Sequence, residues 1–298
     1  MKIIKNILAG ALLLFSSALF SQQDPLFTMY RNHMNMVNPA YVGVDGNTEV
    51  AATVRRQWSG IDNSPSTQAA SFGTSTGKNL GYGISLVHDN TGGDIVKTTN
   101  VGIDFSYKVK VDSGLDLYLG LKAGGSFLNT DFSGLDGVQV GDPNLVSSTT
   151  FNPNVGVGAL LKNKKFFMSL SIPRVLNTEN ARNIENFSSV PVNRPHVYWS
   201  TGYDFNLNAS GSLILKPSFL LRYVNGAPAT VDFNTMVQIQ DYLEVGGMYR
   251  TTDAYAGIIN FTISKKLVIG YAYESQITNV DGLRGAGNTN EFLLKFKF

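Results

Sequence analysis

Residues 100–111 read NVGIDFSYKVKV, in which Val101, Ile103, Phe105, Tyr107, Val109 and Val111 interleave with Gly102, Asp104, Ser106, Lys108 and Lys110. Successive side chains of a strand point to opposite faces, so this stretch makes a strand with one apolar face and one that tolerates water. The next stretch, LDLYLGLKAGGSF, sets Leu115, Leu117, Leu119, Leu121, Ala123 and Phe127 against Asp116, Tyr118, Gly120, Lys122, Gly124 and Ser126. In HVYWSTGYDFNL, Val197, Trp199, Thr201, Tyr203, Phe205 and Leu207 oppose His196, Ser200, Gly202, Asp204 and Asn206. Similar runs lie near residues 49–58, 66–76, 79–88, 151–161, 164–172, 212–223, 229–240, 242–251, 254–263, 266–275 and 290–298. Together they make about fourteen, each close to the ~9 to 11 residues that cross a bilayer obliquely.

The links between these runs alternate in length. TGKN, DSG, KNK, NASG, QD and SKK are short, and between them come longer links such as residues 129–150, 173–195 and SQITNVDGLRGAGNTN. Short turns on one side and long loops on the other fit a barrel with both termini at the periplasmic face. A soluble β-sandwich also alternates, but explains neither this rhythm nor aromatic residues near strand ends such as Trp199, Tyr223, Tyr249, Tyr255 and Tyr273. The reading is therefore all-β: a transmembrane antiparallel outer-membrane β-barrel of about 14 strands.

Composition agrees. Only 15% of the 298 residues are charged, against roughly 25% in ordinary soluble domains. The 30 Gly, 13 Tyr and 18 Phe favour turns and strands. A net charge of +2, with no basic cluster beyond Lys162, Lys164 and Lys165, argues against nucleic acid as a partner. Without Cys there are no disulfides, no thiol chemistry and no Cys-ligated metal.

The chain begins MKIIKN followed by ILAGALLLFSSALF, a secretory signal peptide over residues 1–21 with cleavage after Ser21, although Leu19 is larger than ideal three positions before the cut. An anchor would need nearer about twenty apolar residues. Residues 49–298 then form the barrel, and residues 22–48, which neither alternate nor carry a helical stripe, form a periplasmic or plug segment that docks at the barrel mouth or enters the lumen. The last run, NEFLLKFKF, places Phe292, Leu294, Phe296 and Phe298 opposite Glu291, Lys295 and Lys297. A closed barrel pairs its last strand with its first, so Phe298 faces lipid, and Phe296 and Phe298 resemble the terminal signal by which such barrels are recognised for assembly.

Three further stretches carry a resemblance. They are Gln22-Gln23-Asp24-Pro25 with Met29-Tyr30, then Asn38-Pro39-Ala40-Tyr41-Val42-Gly43, then RRQWSGIDNSPSTQ with Arg56, Gln57, Trp58, Gly60, Pro65 and Thr67. In these the chain resembles the PorP/SprF outer-membrane proteins of the type IX secretion system. It departs from that pattern at Val42, where Ala is frequent, and at Asn63-Ser64-Pro65, where Gly-Ala-Pro is; Asn63 can keep the same turn because Asn tolerates positive φ. Pro25 and Pro39 force extended or turn conformations on Asp24 and Asn38, and Gly43 permits close backbone approach. Met29, Tyr30, Met34 and Met36 suit adaptable apolar contact with the wall or with a partner. Asp24, Pro25, Tyr30, Asn38, Pro39, Tyr41 and Gly43 are thus candidates either for partner binding or for plugging the barrel.

Enzymatic readings find little support. His88 beside Asp89 has no Ser nucleophile at a convincing spacing, and His33 and His196 stand apart. GTSTGK at Gly73–Lys78 is one residue short of a phosphate-binding loop, and DNTGGD at Asp89–Asp94 lacks the spacing of a calcium loop. No cofactor is called for. The resemblance implies a non-enzymatic component of protein secretion and gliding motility. Such a component binds the C-terminal targeting domains of secreted, adhesin-like surface proteins and works with other type IX components in outer-membrane lipid. The residues alone leave open a diffusion channel or hydrophobic-solute transporter, since about fourteen strands enclose a lumen unless something fills it.

Overall fold

The structure, a computed structural model, describes residues 25–46, 48–132, 147–176, 194–252, 254–276 and 287–298. The signal peptide, Gln22, Gln23 and Asp24 lie outside these, as do residue 47 and most of the three long connections expected from the sequence.

The strands are β1 (Glu49–Arg56), β2 (Ser66–Ser75), β3 (Leu80–Thr91), β4 (Val96–Asp112), β5 (Leu115–Thr130), β6 (Ser148–Lys162), β7 (Phe166–Ile172), β8 (His196–Tyr203), β9 (Phe205–Asn206), β10 (Leu213–Val224), β11 (Thr230–Ile239), β12 (Leu243–Arg250), β13 (Ala254–Ile263), β14 (Leu267–Gln276) and β15 (Asn288–Lys297). The two-residue β9 continues β8 past Asp204, because both pair with β10, so the wall has fourteen staves. Every neighbouring pair is antiparallel, and β1 closes the ring against β15 from Glu49↔Lys297 to Arg56↔Asn290. Closure leaves no free sheet edge between first and last strands.

Alternation sorts the side chains. In β4, Val101, Ile103, Phe105, Tyr107, Val109 and Val111 are exposed on the outer surface while Asp104 and Ser106 are buried inside. From Val101 to Val111 the strand rises ~33 Å, which at a tilt of about 40° stands about 25 Å tall, the height of a bilayer-matched apolar band. Tyr223, Tyr249, Tyr255 and Tyr273 ring one end of the outer surface, and Tyr107, Tyr203, Tyr242, Phe261, Phe296 and Phe298 the other.

The end holding Phe298 is called here the near end. Its connections are residues 76–79, 113–114, 163–165, 207–212, 240–242 and 264–266. At the far end they are residues 57–65, 92–95, 131–147, 173–195, 225–229, 251–253 and 277–287. The length rhythm is less regular than the sequence suggested. Residues 92–95, 225–229 and 251–253 are as short as near-end turns; at residues 92–95 the strand that follows extends toward the far end, β4 having 17 residues and β5 beside it 16. By contrast β7 has 7 residues and β8 has 8, so the wall is low on that side.

Candidate functional site

Residues 25–46 thread the barrel interior from one end to the other. Leu26 lies beside Val224, Pro228 and Thr230 at the far end, and Thr48 accepts the Phe298 N–H at 2.9 Å at the near end. The sequence left residues 22–48 either at a periplasmic mouth or in the lumen; residues 25–46 lie within the wall. The physical reason is their composition: Met29, Tyr30, His33, Asn38, Ala40 and Val42 are all within 2% of complete burial. They bury there because the inward wall offers both apolar patches and polar partners.

In the upper part the segment meets charge. Glu291 on β15 accepts the backbone N–H of Thr28 at 2.7 Å and of Met29 at 3.0 Å. The Thr28 hydroxyl donates to Glu274 on β14 at 2.8 Å and accepts from Arg55 on β1 at 2.8 Å. Arg55 in turn bridges Glu274 at 3.0 Å and Glu291 at 3.3 Å. From Glu274 the chain of charges continues through Arg250 at 3.0 Å to Asp232 at 2.8 Å and Arg222 at 2.7 Å. Each ion is paired with at least one opposite charge, which offsets its desolvation. Met29 leaves this belt to pack with Met236, Met248, Ala256, Ile258, Ala272 and Leu293.

Midway, Phe27, Tyr30 and Met34 pack on Ala69, Tyr198 and Leu220, and the Tyr30 hydroxyl lies 3.3 Å from that of Ser218. His33 hydrogen-bonds Thr53 through Nε2. The single helical turn Met34–Val37 is too short to satisfy its own carbonyls. Lys122 donates to the carbonyls of Asn35 and Met36 at 3.3 Å each, and Ser171 to that of Val37 at 2.8 Å. Asp104, 3.3 Å from Lys122, balances its charge.

The lower part is fixed sterically. The Asn38 side chain caps the turn Pro39–Tyr41 by accepting the Ala40 N–H at 2.9 Å, and donates to the carbonyl of Ala159 at 3.1 Å. A β-carbon at Gly120 would overlap the backbone of Ala40, and one at Gly158 the side chain of Asn38. One at Gly81 would overlap the carbonyl of Val42, which Ser106 also holds at 2.6 Å. Gly43 takes φ +67 with no room for a side chain against Thr74 and Gly81. NPAYVG therefore sits in a seat that glycines hollow out of the wall. The Tyr41 ring meets Phe167 edge-on at 6.4 Å.

The expected site residues fall into three places. Pro25, Tyr30, Asn38, Pro39, Tyr41 and Gly43 belong to the luminal segment; Asp24 lies outside the described residues. Arg56 ends β1, and Gln57, Trp58, Gly60 and Pro65 belong to the far-end loop that follows, where Gln57 N–H donates to the Pro65 carbonyl at 2.9 Å and Ile61 N–H to the Trp58 carbonyl at 2.9 Å. Trp58 has φ 47 and Asn63 φ 59, so Asn63 does hold a left-handed turn. Phe296 and Phe298 face outward at the near end, their rings 4.8 Å apart.

The sequence reading missed Arg55, Asp232, Arg250, Glu274 and the inner glycines. One signal was available: in the doublet Arg55-Arg56, Arg55 shares its face with the buried Ala51 and Thr53, while Arg56 points outward. No reaction centre assembles from the histidines, which are apart: His33 on Thr53, His88 on Thr99 at 2.8 Å and His196 on the Arg194 carbonyl at 3.0 Å. Among the described residues no group of three or more His, Asp or Glu could hold a metal. In DNTGGD, hydrogen bonds from Asn90 and Lys97 hold the exposed Asp94 carboxyl below its usual range.

A closed wall with an apolar outer band and a polar, filled interior defines an outer-membrane β-barrel. Among solved structures it is similar to the Acinetobacter baumannii outer membrane protein Omp33, with TM-score 0.51 and 10% identity over 85% of this chain and 99% of that one. It is also similar to the KdgM porin, with TM-score 0.41 and 8% identity over 84% and 99%. A third is the Ralstonia pickettii toluene transporter TbuX, with TM-score 0.46 and 12% identity over 88% and 92%. At these identities the first likeness speaks for the fold alone. None of the curated proteins compared matches the chain. The family is nonetheless plain: residues 19–296 match the model of the type IX secretion system membrane protein PorP/SprF, and the chain belongs to that family.

Proposed function

We propose that this protein is a non-catalytic receptor of type IX secretion that captures the C-terminal domains of exported surface proteins at its exposed ends. The observation that carries the reading is the filled lumen. Met29, Tyr30, Asn38 and Ala40 occupy the space a wide diffusion channel would need, which leaves loops and rims as the working surfaces. The same burial favours an ordering role for PLFTMY and NPAYVG over direct contact with cargo. The near end is assigned to the periplasm, since the longer connections, residues 131–147, 173–195 and 277–287, lie at the far end. Affinity purification of the full-length protein from its native membrane, followed by mass spectrometry, tests the reading. Co-purification of secretion components and of a surface protein with a C-terminal targeting domain is expected. A barrel that brings down neither, while conducting small solutes steadily in a planar bilayer, would replace it with the channel reading.

A further inference from the structure

The two halves of the luminal segment are held by different physics. Residues 38–43 are locked by shape: the backbone of Ala40 and Val42 fills hollows at Gly120 and Gly81, the Asn38 side chain fills the one at Gly158, and β1 begins a few residues further on, at Glu49. Residues 25–37 are held by contacts that can be exchanged. Thr28 and Met29 hang on carboxylates that stay paired without them, because Arg55 bridges Glu274 and Glu291 directly. The carbonyls of Asn35 and Met36 rest on a lysine that also has Asp104 and Ser85. Three of the apolar contacts, beside those of Phe27, Tyr30 and Val37, are made by Met29, Met34 and Met36, unbranched side chains that repack at low cost. Beside this half lies a cavity of 110 Å³, bounded by Phe27, Tyr30, Met36 and Val37 on the segment and by Ser85 and Gly102 on the wall. The helical turn Met34–Val37 ends at Asn38, which is extended ahead of Pro39, so the change in how the chain is held coincides with a change of backbone direction.

We propose that residues 25–37 are a hinged luminal gate. It pivots at Asn38-Pro39 toward the far end and is latched shut by Thr28 and Met29 on Glu291 and Glu274, while residues 38–43 stay seated. Opening removes the bulk of the segment from the upper lumen and leaves a water-filled path walled by Arg55, Arg222, Arg250, Asp232, Glu274 and Glu291, all of which remain mutually neutralised. The gate is a property of the isolated barrel and does not depend on which partner it serves.

Planar-bilayer recording on the full-length protein reads it directly, with heat-modifiable migration confirming a folded barrel. Wild type should be closed with brief openings. Thr28→Val combined with Met29→Ala leaves the wall untouched, removes the hydroxyl's hold on Glu274 and the Met29 packing while the backbone N–H bonds to Glu291 remain, and should raise the open fraction severalfold; deletion of residues 25–37 should give a steady open level. A folded deletion variant that conducts no more than wild type would overturn the gate, as would a wild type already as open as the deletion. Should the deletion variant fail to fold, an unchanged open fraction in the double variant would overturn it equally. Cargo recovery is measured separately, so loss of cargo binding with intact gating, or the reverse, identifies which of the two proposals fails.

Discussion

The carboxylate of Glu291 takes the backbone N–H of Thr28 at 2.7 Å, joining residues 263 positions apart in sequence. The bond ties the start of the described chain to its final strand, so the luminal segment and barrel closure support one another. Removing the carboxylate leaves two buried N–H groups without it and Arg55 short of one partner. Glu291→Ala should therefore cost about 3–5 kcal/mol, the usual penalty for breaking a buried ion pair. The temperature at which the folded band is lost in unheated gels should fall clearly, and Glu291→Gln, which keeps an acceptor, should fall less. Equal stability of Glu291→Ala and wild type would contradict the latch.

Much of the wall was legible in sequence because a bilayer demands apolar side chains at every second position, and Val101 to Val111 obey that demand residue by residue. The aromatic rings at strand ends followed from the same demand. The luminal belt was not legible. Arg55, Glu274 and Glu291 occupy ordinary polar positions of their strands, and only closure of β1 against β15 brings them to one place. The inner glycines read as generic strand glycines until Ala40 and Asn38 were seen to fill the hollows they leave. Tyr198 hid for the opposite reason: an aromatic on the inward face breaks the expected alternation, and only the packing of Phe27 and Tyr30 explains it.

The glycine seat makes a contrast of matched substitutions. Gly120→Val and Gly158→Val introduce atoms where Ala40 and Asn38 already stand, and should expel residues 38–43 or unfold the barrel. Gly257 faces outward with nothing within 4 Å of an added β-carbon, so Gly257→Ala should be silent. Limited trypsin digestion reports the difference at Arg31, whose side chain is 24% exposed in the seated state. Faster cleavage there in the seat variants alone is expected; identical digestion of all three proteins would remove the seat's importance.

Sidedness can be read with single cysteines, since the chain has none. Asp62 is exposed at the far end and Ala209 at the near end. On intact cells a membrane-impermeant maleimide should label Asp62→Cys, and should label Ala209→Cys only after the outer membrane is permeabilised. The reverse pattern would turn the barrel over.

Phe296 and Phe298 stand on the outer face beside the near-end rim, and Lys295, on the inner face, is held 2.8 Å from Glu49. A charge near the rim costs only about 0–1 kcal/mol in lipid. Phe298→Asp should therefore leave a folded barrel's thermal stability nearly unchanged yet lower the amount reaching the outer membrane, if these rings act in recognition for assembly. Normal membrane levels would assign them to lipid contact alone.

Trp58 holds φ 47, a left-handed conformation that costs a residue with a β-carbon roughly 1–2 kcal/mol. The surrounding loop enforces it: Ser59 N–H donates to the carbonyl of Asn288 at 2.9 Å, Asn290 donates to the Ser59 hydroxyl at 3.1 Å, and Gln57 is tied to Pro65. Strain maintained by so many bonds at a far-end rim points to a shaped surface, because closing a turn between β1 and β2 would not by itself require a tryptophan there. Trp58→Gly relieves the backbone strain and removes the indole, so the barrel should be no less stable than wild type. Recovery of the exported surface protein in affinity purification should nevertheless fall severalfold, and Arg56→Ala, with its side chain exposed next to the loop, should fall in the same direction. A Trp58→Gly barrel that retains its cargo in full would move the capture surface away from this loop, to the other far-end connections.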